Sequence, residues 1–252
     1  DSFASTDYVG PDGTANTYFT QPVGLWHLND TTWASADTSG SGLTTAATGS
    51  PALDTTNKKL GAGAVTFSGG NYLTVTDSAA LKPSKVSVAA WVRPTSTGAK
   101  AIVDKFTSPN GYILGIDASS QAYFTIGNGT SAYTATYTAA ALSTNTYYHV
   151  VGTFDGSNVK VYVNKVSASA TAAVTMAHPA SQNAGIGHIG GATVFTGQID
   201  EVSIYDRALT QTEIDALYNN ADAGREGAVW DITGLNSLDN KQYIRHKAYF
   251  DT

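Results

Sequence analysis

The stretch Phe195-Thr-Gly-Gln-Ile-Asp-Glu-Val-Ser-Ile-Tyr-Asp-Arg-Ala-Leu-Thr210 predicts a β-strand that runs through a tight corner into a short helix. Between Gln198 and Tyr205 the apolar residues fall on one face of an extended chain, but the alternation breaks at Asp200-Glu201. A break of this kind is typical of a β-bulge or of a carboxylate that binds a ligand. The sequence therefore predicts an irregular strand at this point.

The residues after this strand carry the signals that begin a helix. Thr210 and Glu213 are spaced as a capping box, in which each side chain bonds to the other residue's backbone N–H. Leu209 and Ile214 flank the box as a hydrophobic staple. We expect one helix over Gln211–Asn219 and no other.

The rest of the chain consists of short strand patterns separated by turn residues. In one of these turns, Asp155-Gly156-Ser157-Asn158, the glycine can supply a positive φ angle for a hairpin. Many short strands with frequent turns favour an all-β sandwich of two antiparallel sheets. The strands are expected over residues 24–28, 64–67, 72–76, 86–92, 101–105, 112–117, 122–126, 147–154, 159–163 and 185–189.

The composition excludes several classes of function. The 252 residues include no cysteine, so neither a disulfide nor a thiolate metal site can form. The formal net charge is -6 and no Lys/Arg cluster is present, which excludes nucleic acid as a partner. No apolar run reaches the roughly 18 residues that a membrane span needs. Only 13% of the residues are charged, and the abundance of Ser and Thr favours an extracellular or cell-surface protein.

Several segments in order resemble the laminin-G-like, concanavalin A-like jelly rolls of lectins and glucanases. One departure is Asn164-Lys165, where an Asn-Gly turn would be expected, although Asn164 can itself adopt the left-handed conformation. The resemblance implies an all-β, two-sheet antiparallel jelly-roll sandwich over residues 23–222. Residues 1–22 are then an N-terminal extension or a strand of a neighbouring β-unit, and residues 223–252 are a C-terminal β-extension. The segments that carry the resemblance are 23–29, 36–42, 64–73, 86–94 with Trp91, 148–155, 159–164 and 187–218.

The loop that begins at Asp37 is a candidate calcium site, because its Ser and Gly residues can turn backbone carbonyls toward a hard cation. The resemblance implies that Asp37 and Asp200 lie close together around a structural Ca²⁺, with Gly40 offering a carbonyl. The alternative is that Asp37 and Ser39 form only a local turn and that Asp200 caps a bulge.

A glycosidase is the enzymatic alternative. In the jelly-roll glucanases one strand carries both catalytic carboxylates in the pattern Glu-x-Asp-x-x-Glu, and this chain has Gln198 and Ser203 at those two positions. No Gly-x-Ser-x-Gly nucleophile motif is visible either. The sequence therefore predicts a protein that is not an enzyme.

The aromatic residues leave two interpretations open. Aromatic rings stack against sugar rings in carbohydrate-binding sandwiches, but they also fill cores and interfaces. We expect His27 and His149 to be packed or edge residues. The tyrosines that cluster in the middle third of the chain are Tyr112, Tyr123, Tyr133 and Tyr137.

The sequence thus predicts a non-catalytic extracellular module for adhesion or carbohydrate recognition, whose partner is a glycan or a surface protein. The alternative is a structural subunit of an extracellular filament or surface layer that self-assembles through terminal strands. This alternative depends on Lys241–Phe250, in which apolar residues alternate with basic and aromatic ones, and on a weaker strand pattern at Tyr18-Phe19. A glycoside hydrolase is the third possibility.

Overall fold

The computed structural model describes residues 22–31, 35–188 and 194–222, which form two antiparallel sheets and one α-helix. A short 3-10 helix covers Ala79–Leu81, and helix α1 covers Gln211–Asp222. The strands are β1 (Gly24–Trp26), β2 (Thr45–Thr48), β3 (Ala52–Asp54), β4 (Ala64–Phe67), β5 (Tyr72–Val75), β6 (Val86–Pro94), β7 (Lys100–Thr107), β8 (Asn110–Ile116), β9 (Ala122–Asn128), β10 (Ala132–Thr136), β11 (Tyr148–Phe154), β12 (Asn158–Val163), β13 (Val166–Thr171), β14 (Ala184–Ile186) and β15 (Gly197–Tyr205).

The strands divide into an eight-stranded sheet and a seven-stranded sheet. The eight-stranded sheet has the order β13-β12-β11-β6-β15-β4-β3, with β1 also paired to β15. The seven-stranded sheet has the order β10-β9-β8-β7-β14-β5-β2. All the pairings are antiparallel, which confirms the predicted two-sheet jelly-roll sandwich.

The core lies between the two sheets and follows the period-2 pattern of the strands. In β6, Val88, Ala90 and Val92 point into this core, while Trp91 points to the opposite surface of the sheet. Trp26 is fully buried in the same core, and its indole N–H donates to the carbonyl of Leu43 at 2.7 Å. Burying an aromatic side chain of this size while satisfying its polar atom is a strong source of stability.

The predicted irregularity of β15 is a bulge. Its pairing with β6 shifts register between Asp200 and Ser203, and Glu201 has a φ angle of 51°. The extra residue lets Ile199 and Val202 both face the core although three positions separate them. The bulge thus directs two adjacent carboxylates, those of Asp200 and Glu201, to different surroundings.

Helix α1 begins as the sequence predicts. The Thr210 N–H donates to the Glu213 carboxylate at 2.8 Å, and the Glu213 N–H donates to the Thr210 hydroxyl at 3.3 Å, which confirms the capping box. Leu209 and Ile214 are buried together against the outer surface of the eight-stranded sheet, as a staple requires. The helix continues to Asp222, three residues beyond the predicted end.

The β12–β13 hairpin shows how the chain tolerates lysine in place of glycine. Asn164 and Lys165 have φ angles of 47° and 78°, so both adopt the left-handed conformation that a two-residue hairpin of type I′ requires. The amide oxygen of Asn164 accepts from the His149 N–H at 2.9 Å. The ammonium group of Lys165 donates to Asn219 of α1 at 3.3 Å and lies 4.7 Å from the Tyr218 ring centroid. These contacts hold the strained turn in place.

Four strands were not predicted, namely β2, β3, β10 and β13. Their residues are mostly small or polar, so they lack an alternation of large apolar side chains. β13 does alternate, but only between Val or Ala and Ser or Thr. Each lies at an edge of its sheet, where a strand is stabilised by one neighbour and not by burial on two faces.

The predicted division into residues 1–22, 23–222 and 223–252 stays a prediction. Residues 1–21 and 223–252 lie outside the described residues, and so does the segment Lys241–Phe250 on which the self-assembly hypothesis depends.

Candidate functional site

Asp37 organises its own loop through backbone hydrogen bonds. Its Oδ1 accepts from the N–H groups of Leu25 and Ser39 at 3.0 and 2.9 Å, and its Oδ2 accepts from the Leu43 N–H at 3.0 Å. Burial raises the pKa of Asp37, but hydrogen bonds from Ser39, Leu25 and Leu43 outweigh it and hold the pKa below its usual value. The carboxylate is therefore charged at neutral pH and ties the loop to β1.

The carboxylate that reaches toward this loop is that of Glu201, not that of Asp200. Glu201 Oε1 lies 2.8 Å from His27 Nδ1, and His27 Nε2 lies 3.2 Å from the hydroxyl of Thr38. The bulge of β15 is thereby linked to the loop through His27. Gly40 has a φ angle of +88° and lies in the exposed part of the loop, with no atom within 4 Å of where a Cβ would stand.

The Asp200 side chain points to the outer side of the eight-stranded sheet, but the loop around Lys59 lies over it and the residue is fully buried. Its Oδ2 accepts from the N–H groups of Lys59 and Leu60 at 2.8 and 2.9 Å, and its Oδ1 has no hydrogen-bond partner. Burial, with a smaller effect of the Glu201 charge, raises the pKa of Asp200 to about 7. The residue holds the loop around Lys59 onto the sheet.

This arrangement does not fit a single calcium ion held by Asp37, Gly40 and Asp200. Three of the lone-pair positions of Asp37 are occupied by N–H groups, and Asp200 is directed under a different loop. Among residues 22–31, 35–188 and 194–222, no group of three or more His, Asp or Glu side chains is arranged to hold a metal. A calcium site stays a prediction, to be tested by the stability of the protein in solution.

The segment that carries catalytic carboxylates in glucanases is covered in this structure. Gln198 is 5% exposed, donates to Asp54 and Thr66, and accepts from Arg93 at 2.8 Å. Ser203 is also buried, beneath the surface to which α1 packs. Neither side chain is accessible to a polysaccharide.

The tyrosines predicted as possible sugar contacts have different roles. Tyr112 is fully buried and donates from its hydroxyl to the Leu81 carbonyl at 3.2 Å. Tyr133 and Tyr137 pack against the core. Tyr123 alone of the four lies on the outer surface of the seven-stranded sheet, over Gly115 of the neighbouring strand.

That outer surface carries a row of six residues, of which the three threonines and Asp104 have side chains that can form hydrogen bonds. Strand register places Thr134, Thr125, Ile113, Asp104, Gly185 and Thr74 side by side across β10, β9, β8, β7, β14 and β5. The hydroxyls of Thr125 and Thr134 are 2.7 Å apart, and Asp104 Oδ1 accepts from the Phe106 N–H at 2.8 Å. We call this row, with Tyr72, Tyr123 and His188 beside it, the Asp104 face.

Aromatic rings flank the row at two places. Tyr72 stacks on His188 with ring centroids 4.0 Å apart and an interplanar angle of 21°. Tyr123 lies on the other side of Asp104, and burial together with the charges of Asp104 and Asp117 raises its pKa to about 12. Burial lowers the pKa of His188, so this ring is neutral at neutral pH. Asp104 and Thr125 are themselves buried, at 2% and 6% exposure. The accessible part of the Asp104 face therefore consists of neutral aromatic rings and of the hydroxyl-bearing side chains of Thr74 and Thr134.

The sequence analysis identified Tyr123 and missed the other residues of the Asp104 face. The sequence did contain a signal. In two predicted strands, Tyr72 and Thr74, and Tyr123 and Thr125, are the polar or aromatic positions that alternate with apolar ones. The strand order was needed to show that these residues share one surface.

The family model for the concanavalin A-like lectin/glucanase superfamily, of the laminin G type, matches residues 67–215. The chain belongs to this family. The match includes β5 to β15 and the start of α1, and so contains most of the Asp104 face. A comparison with curated protein sequences finds no match for this laminin-G-type chain.

Solved structures with the same fold include binding domains. Domain 4 of an extracellular arabinanase from Geobacillus stearothermophilus, solved with arabinotriose, has a TM-score of 0.65 at 21% identity and covers 79% of this chain and 99% of that domain. The binding domain of botulinum neurotoxin DC has a TM-score of 0.62 both with SialylT, at 16% identity, and with rat synaptotagmin II, at 17% identity. Each comparison covers 80% of this chain, which spans about half (52%) of that binding domain.

These likenesses establish the fold of the laminin-G-type chain. In the part of the chain that the structure describes, no helix has the length and apolar character needed to cross a membrane.

Proposed function

We propose that this laminin-G-type chain is a non-catalytic carbohydrate-recognition module that binds a glycan at the Asp104 face. The observation that carries the proposal is that Tyr72, stacked on His188, and Tyr123 place aromatic rings on either side of the Asp104 face. The Thr74 and Thr134 side chains on the same face are at least partly exposed. The similar fold of an arabinanase domain solved with arabinotriose supports a carbohydrate as the ligand class.

The chemistry of the face suits a sugar. A pyranose or furanose ring has apolar C–H patches that pack against an aromatic ring and hydroxyls that need hydrogen-bond partners. Tyr72 and Tyr123 supply the rings from opposite sides of Asp104, and Thr134 supplies an exposed hydroxyl. With the two rings on different strands, the ligand that fits best is an oligosaccharide of more than one residue.

The surroundings of β15 support a non-catalytic role. Gln198 and Ser203 replace the carboxylates of the glucanase pattern, and both are buried on the sheet opposite the Asp104 face. We infer an extracellular setting, in adhesion or in targeting to a polysaccharide, because that is where such a ligand is encountered.

A glycan array that includes arabino-oligosaccharides and sialylated glycans, followed by calorimetry with the best-bound oligosaccharide, tests this proposal. Tyr72→Ala and Tyr123→Ala should each weaken binding by about tenfold or more, the equivalent of ~1.4 kcal/mol. The matched control is Tyr218→Ala in helix α1, where the ring packs against Trp91 of the opposite sheet. This change removes a ring of the same type and should leave affinity unchanged.

Melting temperatures of all three variants distinguish lost binding from lost folding. The same oligosaccharide and β-glucan polymers should remain uncut after prolonged incubation. A failure of every glycan to bind, or binding that both Tyr72→Ala and Tyr123→Ala leave intact, contradicts the proposed site. Release of reducing sugar that disappears when Asp200 or Glu201 is changed would overturn the non-catalytic assignment.

A further inference from the structure

Strand β13 ends the eight-stranded sheet, and among the described residues it pairs only with β12. The Ala172 N–H donates to the Ser157 carbonyl at 2.8 Å, which fixes the alternation of bonded and non-bonded pairs along this hairpin. By that alternation the backbone groups of Ser167, Ser169 and Thr171 point away from β12. They form an unpaired hydrogen-bonding edge.

This edge lacks the features that usually keep another strand away. The sequence Val166-Ser-Ala-Ser-Ala-Thr171 contains no charge and no proline, although proteins commonly place such residues on exposed edges. Val166 is 56% exposed, and it is the large apolar side chain that stands out as exposed among the described residues. Ala168 and Ala170, on the same side of the strand, pack only partly against the core. A shallow apolar surface therefore accompanies the open edge.

The chain that follows α1 starts beside this edge. Lys165, the residue before β13, accepts at its carbonyl from Gln211 at 3.0 Å and donates from its ammonium group to Asn219 at 3.3 Å. The whole length of α1 is thus held next to the β12–β13 turn. Residues 223–240 can span on the order of 60 Å when extended, whereas β13 is roughly 20 Å long.

The segment Lys241–Phe250 has the sequence pattern that the edge requires. Ile244, His246, Ala248 and Phe250 alternate with Tyr243, Arg245, Lys247 and Tyr249. An extended chain would therefore present one mostly apolar side, which includes His246, and one basic and aromatic side. The apolar side matches the surface of Val166, Ala168 and Ala170. The opposite side would face solvent beside the exposed Ser167 and Ser169.

We propose that Lys241–Phe250 of the same chain adds to the edge of β13 as a further antiparallel or parallel strand. Backbone bonds to Ser167, Ser169 and Thr171 hold it, and the side that carries Ile244, Ala248 and Phe250 lies along the row of Val166, Ala168 and Ala170. The added strand protects an edge that would otherwise invite pairing between molecules.

Hydrogen exchange of the full chain, read residue by residue, tests the proposal. We expect two sets of amides to exchange at least about tenfold more slowly than in an unstructured chain. These are alternate amides of Lys241–Phe250 and the amides of Ser167, Ser169 and Thr171. Ser169→Pro removes an outward N–H while leaving the β12 ladder intact, and should abolish protection in residues 241–250. The matched control, Ser169→Ala, keeps the N–H and should retain it.

Light scattering identifies the source of the added strand. The proposal is supported if the protein is a monomer in which Lys241–Phe250 is protected from exchange. Ser169→Pro must then remove that protection without unfolding the β12–β13 hairpin. An oligomer that dissociates in the Ser169→Pro variant would show that a second copy supplies the strand and would overturn it. Free exchange of Lys241–Phe250 in the unaltered protein, or protection that Ser169→Pro does not change, also overturns it.

Discussion

Asp200 and His149 lie on either side of Trp91 in neighbouring strands, and both are almost fully buried with an unpaired polar atom. His149 Nδ1 and Asp200 Oδ1 are the unpaired atoms. Burial, with a smaller effect of the Lys59 charge, lowers the pKa of His149 to about 3, whereas burial raises the pKa of Asp200 to about 7. Burial on the two sides of Trp91 thus disfavours the charged form of both residues.

The two shifts have opposite effects on stability. Between about pH 4 and 7 the folded state keeps a proton on Asp200 that the unfolded state has lost, so its contribution to the free energy of unfolding falls as pH rises. Between about pH 3 and 6.5 the unfolded state binds a proton at His149 that the folded state does not, so that contribution rises with pH. Over their shared range the two contributions largely cancel.

Asp200→Asn removes the contribution to the free energy of unfolding that falls with pH and leaves that of His149. We expect the free energy of unfolding of this variant, measured with denaturant from pH 4 to 7, to rise with pH by up to about 4 kcal/mol more than that of the unaltered protein. The control Asp206→Asn changes an exposed carboxylate after the same strand and should keep the original profile. An Asp200→Asn profile parallel to that of the unaltered protein would show that Asp200 is charged when folded.

Asp37 illustrates a structural role that is independent of any metal. Because its carboxylate accepts three backbone N–H groups, Asp37→Ala should lower the free energy of unfolding by ~2 kcal/mol in the presence of a chelator. If calcium binds at this loop, added calcium raises the melting temperature of the unaltered protein and not that of Asp37→Ala. Equal melting temperatures of the unaltered protein in calcium and in chelator would refute the calcium site while leaving the first expectation standing.

At the scale of elements, a buried ion pair joins β7 to the loop before the 3-10 helix. Lys105 is fully buried, and its ammonium group lies 2.6 Å from Asp77 Oδ1 and 2.6 Å from the Gln182 carbonyl. The second oxygen of Asp77 bonds to Lys82 at 2.6 Å. Burial lowers the pKa of Lys105, and the Asp77 charge opposes that shift. The pair anchors the loop that leads from β5 toward β6.

The loss of Asp77 and the loss of Lys105 should therefore lower the free energy of unfolding by different amounts. Asp77→Asn leaves the Lys105 charge buried without its counter-ion and should destabilise the fold by about 3 kcal/mol. Lys105→Met fills the same space without a charge, and Asp77 keeps Lys82, so the loss should be distinctly smaller. Chemical denaturation of both variants and of the double variant measures the difference. A larger loss for Lys105→Met than for Asp77→Asn would contradict this account of the pair.

At the scale of the whole molecule, the two sheets are used differently. The outer surface of the eight-stranded sheet is covered by α1 and by the loop around Lys59, which Asp200 holds in place. The seven-stranded sheet carries the Asp104 face on its outer surface. If the proposed glycan site is correct, one sheet provides the ligand-binding surface while the other is covered by the rest of the chain.

The sequence by itself determined the elements whose signals are local. The bulge at Asp200, the capping box of Thr210 and Glu213, and the left-handed Asn164 all depend on neighbouring residues in the chain, and each is confirmed. The alternation of β6 predicted its core side for the same reason. The edge strands β2 and β13 were missed, because their side chains are mostly small and polar and give a weak local signal, and pairing with one neighbour keeps them extended.

Only the tertiary structure decided which side chains share a surface. It directed Asp200 toward the loop around Lys59 and linked Glu201 to the Asp37 loop through His27, because the bulge turns adjacent residues in different directions. It also brought Tyr72, from β5, and Asp104, from β7, to one face through β14, which lies far from both along the chain. Strand order and register are set by the packing of the whole core, and no local pattern encodes them.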